Sequence, residues 1–158
     1  ITELMREFPT DAVVAESACL VVSFLHGLLN NPEEFSIVAK ELNGVMMRHA
    51  NNPYVMEHVL RALVNLSSYG RHADMLVTMG VCANIAIILK KHQEVEVIAR
   101  EGMKAVLNLC LASEDNCIKL NEVNISDGIV RCIKTHSRSQ VTTDVSCQLL
   151  TVMILNYE

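Results

Sequence analysis

The chain has 158 residues, 51% hydrophobic and 20% charged, with a formal net charge of −5 from 13 basic and 18 acidic side chains. That mild acidity favours solubility and speaks against nucleic-acid binding, which wants clustered Lys and Arg and, on single strands, aromatic platforms. Aromatics are 4% and Trp is absent, while six Gly and three Pro are too few for a strand-and-turn protein, so the Val, Leu, Ile, Ala and Met that dominate point to an all-α fold.

The opening ITELMREF (1–8) is amphipathic, shows no signal peptide and begins without Met, which suggests a fragment of something longer. The apolar runs ACLVV (18–22) and IAIIL (85–89) fall far short of the ~18 residues that suggest a membrane span, and a soluble cytoplasmic or nuclear protein, not a secreted one, is expected. Cys19, Cys82, Cys110, Cys117, Cys132 and Cys147 form no C-x-x-C, and disulfide frameworks belong to short, loop-rich secreted chains. They read as reduced thiols acting as small hydrophobes, and the eight Met, Met46, Met47 and Met103 among them, read as packing.

In chain order, TDAVVAESACLVVSFLHG (10–27) reads as a first long helix. Asn51 and Asn52 supply a turn and cap before Pro53, whose missing N–H costs nothing at a helix start, and the helix they open runs into RALVNLSS (61–68). RHADMLVTM (71–79) predicts a short helix ending at Gly80, VCANIAIILKK (81–91) a second and EVIAREGMKAVLNLCLA (96–112) a third. VTTDVSCQLLTVMILN (141–156) closes the chain in the same register.

These segments repeat. NNPYVMEHVLRALVNLSS (51–68) aligns with QEVEVIAREGMKAVLNLC (93–110), so that Val55 meets Ile98, Ala62 meets Ala105, Leu63 meets Val106, Asn65 meets Asn108 and Leu66 meets Leu109. Ser23 and Val152 occupy the asparagine frame in the flanking units, at intervals of 42, 43 and 44 residues. Arg6, Arg48, Lys90 and Lys134 recur in the last turns of the intervening helices, where the macrodipole favours a cation. His49, His92 and His136 follow them. At one repeat apart these His would be spaced by ~10 Å, as packed helices are, too far to share bonds of ~2 Å to one metal.

A short helix, Gly, a second helix, a turn and a long helix ending in ALVNLS resembles the armadillo repeat family. The resemblance covers nearly the whole chain as a partial unit (1–27) and three complete three-helix units (28–69, 70–112 and 113–158). It implies a right-handed α-α superhelix, an armadillo-like solenoid with one concave side. The first complete unit carries Val38 where the family has Gly, and the last carries Asn124 there, with Gly128 later, so HEAT-like geometry stays open in those two units.

In armadillo proteins the third helix lines the concave groove and its Asn bonds the main chain of an extended peptide. The resemblance thus makes Asn65 and Asn108 groove residues. Helical spacing places His58 and Arg61 on the face of Asn65, and Glu101 and Lys104 on that of Asn108, with Ser23 and Gln148 on the flanking units. Armadillo importins have Trp where this chain has Arg61 and Lys104, so the groove looks like that of beta-catenin-type proteins, which prefer acidic partners.

The expected function is therefore a scaffold or adaptor segment binding an extended, acidic peptide, with no cofactor, metal, nucleic acid or membrane insertion. The alternatives are that both Asn bond to loop carbonyls inside the solenoid, and that the chain is a spacer or self-associates through exposed apolar repeat ends. No enzyme is expected: G-x-S-x-G, a P-loop and H-E-x-x-H are all missing, and a pair such as His58 with Glu101 would lie on an open surface.

Overall fold

Some of the helices begin where the chain places a side chain that accepts from their first free N–H groups. In a computed structural model, which describes residues 1–156, α1 (Thr2–Glu7) and α2 (Ala12–Leu25) are followed by a 3-10 turn (His26–Leu28), α3 (Pro32–Arg48) and α4 (Pro53–Ser67). Then come α5 (Gly70–Thr78), α6 (Val81–Lys91), α7 (Glu96–Ala112), α8 (Glu114–Glu122), α9 (Ile125–Thr135) and α10 (Gln140–Leu155). Asn31 Oδ1 accepts from Glu33 N at 2.9 Å and Asn52 Oδ1 from Tyr54 N at 3.0 Å, each just ahead of a Pro at the first helical position. Ser113 and Ser139 cap α8 and α10 in the same way. The described residues are all-helical, and no single helix among them is long and apolar enough to cross a membrane.

Two rows of helices run through the molecule. In one, α2 packs on α4, α4 on α7 and α7 on α10; in the other, α1 packs on α3, α3 on α6 and α6 on α9. The short α5 and α8 touch each other and both pack on α7. A single apolar core lies between the rows, with Phe35, Leu60, Leu63, Ile85 and Leu89 fully buried. Glycine permits one close approach: a Cβ on Gly102 of α7 would stand 2.5 Å from Leu89 Cδ2 of α6.

The breaks between short and second helices follow the local chain chemistry. Gly80 sits at φ 79° between α5 and α6, and Asn124 takes the same left-handed role at φ 54° between α8 and α9. Val38 cannot do this cheaply, being β-branched, and α3 runs unbroken through it for 17 residues. The first complete unit therefore has two helices, not the expected three. The remaining bounds of the second unit match the sequence reading to within a residue.

No atom lies within 4 Å of a Cβ added to Gly80, so a side chain there meets only its own backbone. Gly80→Ala is expected to lower unfolding free energy by about 1 kcal/mol through the left-handed penalty alone, measured as a lower urea midpoint at unchanged m-value.

Candidate functional site

A helix leaves its last four carbonyls without intrahelical partners, and the row α2, α4, α7, α10 deals with some of them from outside. Asn65 Nδ2 on α4 donates to Ser23 O near the end of α2 at 2.8 Å. Asn108 Nδ2 on α7 donates to Val64 O of α4 at 2.9 Å and to Ser67 Oγ at 3.3 Å. Ser67 Oγ in turn donates to Val64 O at 3.1 Å. The repeated Asn thus ties each long helix to the one before it. Asn108 spends both hydrogens of its amide nitrogen inside the molecule, so it cannot pair with both the C=O and the N–H of a passing peptide, whereas Asn65 spends one of its two. Both residues are half-buried, and neither Oδ1 accepts a hydrogen bond from the described residues.

The neighbours of these two Asn are less open and less basic than their spacing suggests. Arg61 donates from Nη2 to Glu57 Oε1 at 2.8 Å, one turn earlier on its own helix. Lys104 Nζ and Arg100 Nε lie 3.2 Å and 3.1 Å from the same Glu101 Oε1. Glu101 is only 7% exposed, covered by its cationic partners, and is not a groove residue. Ser23 is also buried, with its hydroxyl donating to Leu20 O at 2.6 Å and its carbonyl taken by Asn65, so it too is removed from the expected set. Arg61 and Lys104 keep 44% and 36% of their side chains exposed, Gln148 is exposed, and His58 is half-buried with its Nδ1 buried and unpaired. Beside Asn108 a cleft of about 290 Å³ is lined by Ser67, Ser68, Gly70 and Leu111.

The second row carries a matching ladder that sequence spacing located without revealing its purpose. His49 Nε2 meets Pro9 O at 3.0 Å, His92 Nε2 meets Ala50 O at 2.8 Å and His136 Nε2 meets Gln93 O at 2.8 Å. Facing a carbonyl, each Nε2 must carry the proton. Each His therefore reaches back into the loop of the preceding unit. Asn116 Nδ2 likewise reaches back to Asp74 Oδ1 at 2.8 Å, while Asn43 Nδ2 reaches forward to Met79 O of the next unit at 3.2 Å. The signal for the His ladder was present in the regular spacing of 43 and 44 residues; for Asn43 and Asn116 no repeat marks them.

Cys19, Cys82, Cys110, Cys117 and Cys132 are buried and Cys147 is exposed. Burial pushes the Cys19 thiol up to about 12 and those of Cys82 and Cys132 up to about 11, so all three stay protonated and behave as apolar side chains. Among the described residues no group of three or more His, Cys, Asp or Glu is placed to hold a metal ion. No family model matches the chain, and no curated protein matches it.

Asn108→Ala removes both bonds to α4 while Val64 O keeps Ser67, and a loss of about 1.5 kcal/mol is expected in chemical denaturation. A second prediction concerns His72, which is 3% exposed and stacked on Phe35 of the preceding unit at 4.0 Å between centroids. Burial, and then the Arg71 charge, hold its pKa below 6.5, against a hydrogen bond with the Leu29 backbone that pulls it upward. The unfolded chain therefore binds the proton more readily. Its stabilising contribution is full above pH 6.5 and falls as pH drops through and below that value. His72→Phe is expected to flatten that part of the stability-versus-pH curve, followed by thermal melts between neutral and mildly acidic pH.

Proposed function

We propose that the chain is a protein-interaction module, an armadillo-like α solenoid of right-handed hand whose polar edge along α4, α7 and α10 takes an extended peptide. The observation that carries this reading is the pair of half-buried Asn side chains, each fixed by the preceding helix and each with an Oδ1 that accepts no bond from the described residues. A side chain already ordered by an internal bond loses little entropy on binding, so its free acceptor is prepared for a peptide N–H.

Two such bonds at ~0.5 to 1.5 kcal/mol net cannot hold a ligand alone. Arg61 and Lys104 supply the rest. Arg61 pairs with Glu57 of its own helix, and an exposed pair of this kind is worth roughly 0 to 1 kcal/mol, so a ligand carboxylate can compete for it. Lys104 shares the buried Glu101 with Arg100, which keeps a cation on Glu101 when Lys104 turns to a ligand. The edge is nearly charge-balanced, and the preference for acidic peptides is accordingly modest and salt-sensitive. Asn65, Asn108, Arg61, Lys104, His58 and Gln148 form the proposed contact set.

The second reading, a spacer that binds no peptide, is favoured by one specific fact: the amide nitrogens of Asn65 and Asn108 already have a structural use. Fluorescence anisotropy with labelled acidic and neutral random peptides separates the two. The proposal expects acidic peptides to bind the wild type more tightly, roughly tenfold weakening in Asn65→Ala with Asn108→Ala, and a shallower salt dependence in Arg61→Gln with Lys104→Gln. Circular dichroism establishes that each variant remains folded at the assay temperature. Equal affinity across all three proteins, or no binding by any, would leave the spacer reading in possession.

A further inference from the structure

Every helix of the second row carries a cation in its last turn, Arg6, Arg48, Lys90 and Lys134, but the acid available to it differs along the row. Glu41 of α3 engages Arg6 at 2.6 Å and Arg48 at 3.9 Å. In the frame of Glu41, seven residues before the cation, α6 has Ala83. On α9 that frame holds Asp127, which makes no ion pair with any described residue. Lys90 and Lys134 therefore stand without a carboxylate, and so do their neighbours Lys91, Arg131 and Arg138.

Five of the 13 Lys and Arg are ion-paired with described residues, and of the other eight, these five gather at one place. All five are exposed, in the C-terminal halves of α6 and α9 or the turn after α9. Cys132 faces Leu89 O and His136 faces Gln93 O, so α6 and α9 run parallel with their C-terminal ends side by side. At the ~8 to 10 Å usual between packed helix axes, the cations of one helix reinforce those of the other. The macrodipole places roughly half a negative charge at each of the two C-termini, which offsets one cation, and the exposed Glu94 offsets another. Glu96, the other acid nearby, is turned to Ser139 Oγ at 2.7 Å and to Arg100 at 4.0 Å. The remaining charge is positive, on a chain whose net charge is −5.

Beside these cations a cleft of about 370 Å³ opens between α6 and α9. Small side chains, Ala83, Ala86 and Gly128, line it together with Ile87, which is 51% exposed. A Cβ on Gly128 would stand 3.3 Å from Leu89 Cβ and 3.9 Å from Ala86 O, so the backbone of α9 lies close against α6 there. Lys90 stands toward the C-terminal end of the cleft, and Asn124 and Asp127 toward its other end. The cleft lies between two successive units and is not left open by either end of the chain. Its lining is suited to one aliphatic side chain of a ligand, with cations on one side only.

We propose that the α6–α9 face is a docking site for a short acidic segment of a partner protein, in which an aliphatic anchor is flanked on one side by clustered Glu or Asp. The anchor enters the cleft against Ala83, Ala86 and Ile87. The carboxylates lie over Lys90, Lys91, Arg131 and Lys134 and give these cations what Glu41 gives Arg6 and Arg48. The end over Asp127 carries no carboxylate, because Asp127 would repel it. This face belongs to the second row and is separate from the edge along α4, α7 and α10. A flat anionic lipid surface fits it less well, since it would leave the cleft unfilled and press on Asp127 and Glu94.

The probe is a labelled 12-residue peptide with one Leu followed by a run of Glu, titrated by anisotropy against the whole chain. Expected are saturable binding that weakens with salt, and about tenfold weakening in Lys90→Gln with Arg131→Gln. Ala83→Glu, which installs the acid that α3 has in this frame, is expected to weaken binding by a similar factor. The same peptide with Ser for Leu should bind about tenfold more weakly, and with Lys for Glu it should not bind; both comparisons use the wild-type chain. All three substituted positions are exposed, so thermal melts should show wild-type folding. Arg61→Gln with Lys104→Gln is expected to keep the Leu-dependent part of the affinity, which separates this face from the polar edge. Three results overturn the proposal: no saturable binding, equal affinity for the Leu and Ser peptides, or a loss confined to the Arg61 and Lys104 variant. Binding of phosphatidylserine vesicles but not of the peptide, lost in Lys90→Gln with Arg131→Gln, would assign the face to a lipid surface and equally overturn it.

Discussion

A stack of helices accumulates carbonyls at every helix end, and buried carbonyls without donors are costly. In this chain the donor comes from the following unit. Asn65 and Asn108 serve Ser23 and Val64 along one row, and His49, His92 and His136 serve Pro9, Ala50 and Gln93 along the other. The apolar core between the rows is non-directional and would tolerate a slide of one helix past another. The two polar ladders would not, because a shift of one turn would separate every donor from its acceptor. Burial supplies the bulk of the stability, and the ladders select the register.

This division of labour constrains what the surface can do. An Asn that holds α7 to α4 cannot turn its nitrogen outward without stranding Val64 O on a shared hydroxyl. Asn108 therefore offers a ligand an acceptor only and Asn65 an acceptor and one N–H, and recognition along the edge has to borrow its remaining energy from cations that already have intrahelical partners. Selectivity on such a surface is shallow unless several weak contacts are engaged together.

Much of this was legible in the sequence, and the parts that were not share a physical cause. Periodicity located α6 and α7 to the residue, and Gly80 and Asn124 marked real left-handed turns. Val38 was visible as a departure, yet that it fuses two helices into α3 follows only from weighing the cost of a β-branched residue at positive φ. The direction of Asn65 was the hardest to read, since a half-buried amide at the edge of an apolar face can point to solvent or to the next helix with the same spacing. Arg61 and Lys104 show a related limit. Glu57 and Glu101 stand one turn before them in the sequence, but the pairing that balances the edge is a matter of rotamers. Likewise, the regular His were noticed for their spacing, while their acceptors lie in loops whose sequences do not repeat.

The two ends of the long-helix row are chemically unlike, and this gives the stack a direction. The ridge by which α2 meets α4 is Ala15, Ala18 and Val22; in the same frame α10 presents Asp144, Cys147 and Thr151, all exposed. A polar ridge can stay hydrated at little cost, whereas the Val13, Leu20 and Phe24 stripe on α2 cannot. Apolar surface near α10 is divided among a cleft of about 180 Å³ against α9 lined by Val130, Leu150 and Ile154, a cleft of about 270 Å³ lined by Leu111, Val152 and Leu155, and the exposed Val141. The internal junctions mix polar and apolar side chains in the frame of the ridge, with Glu57, Leu60 and Val64 on α4 and Arg100, Met103 and Leu107 on α7. The frame thus admits a charge where a neighbouring side chain pairs it, as Arg61 pairs Glu57 and Glu101 pairs Arg100.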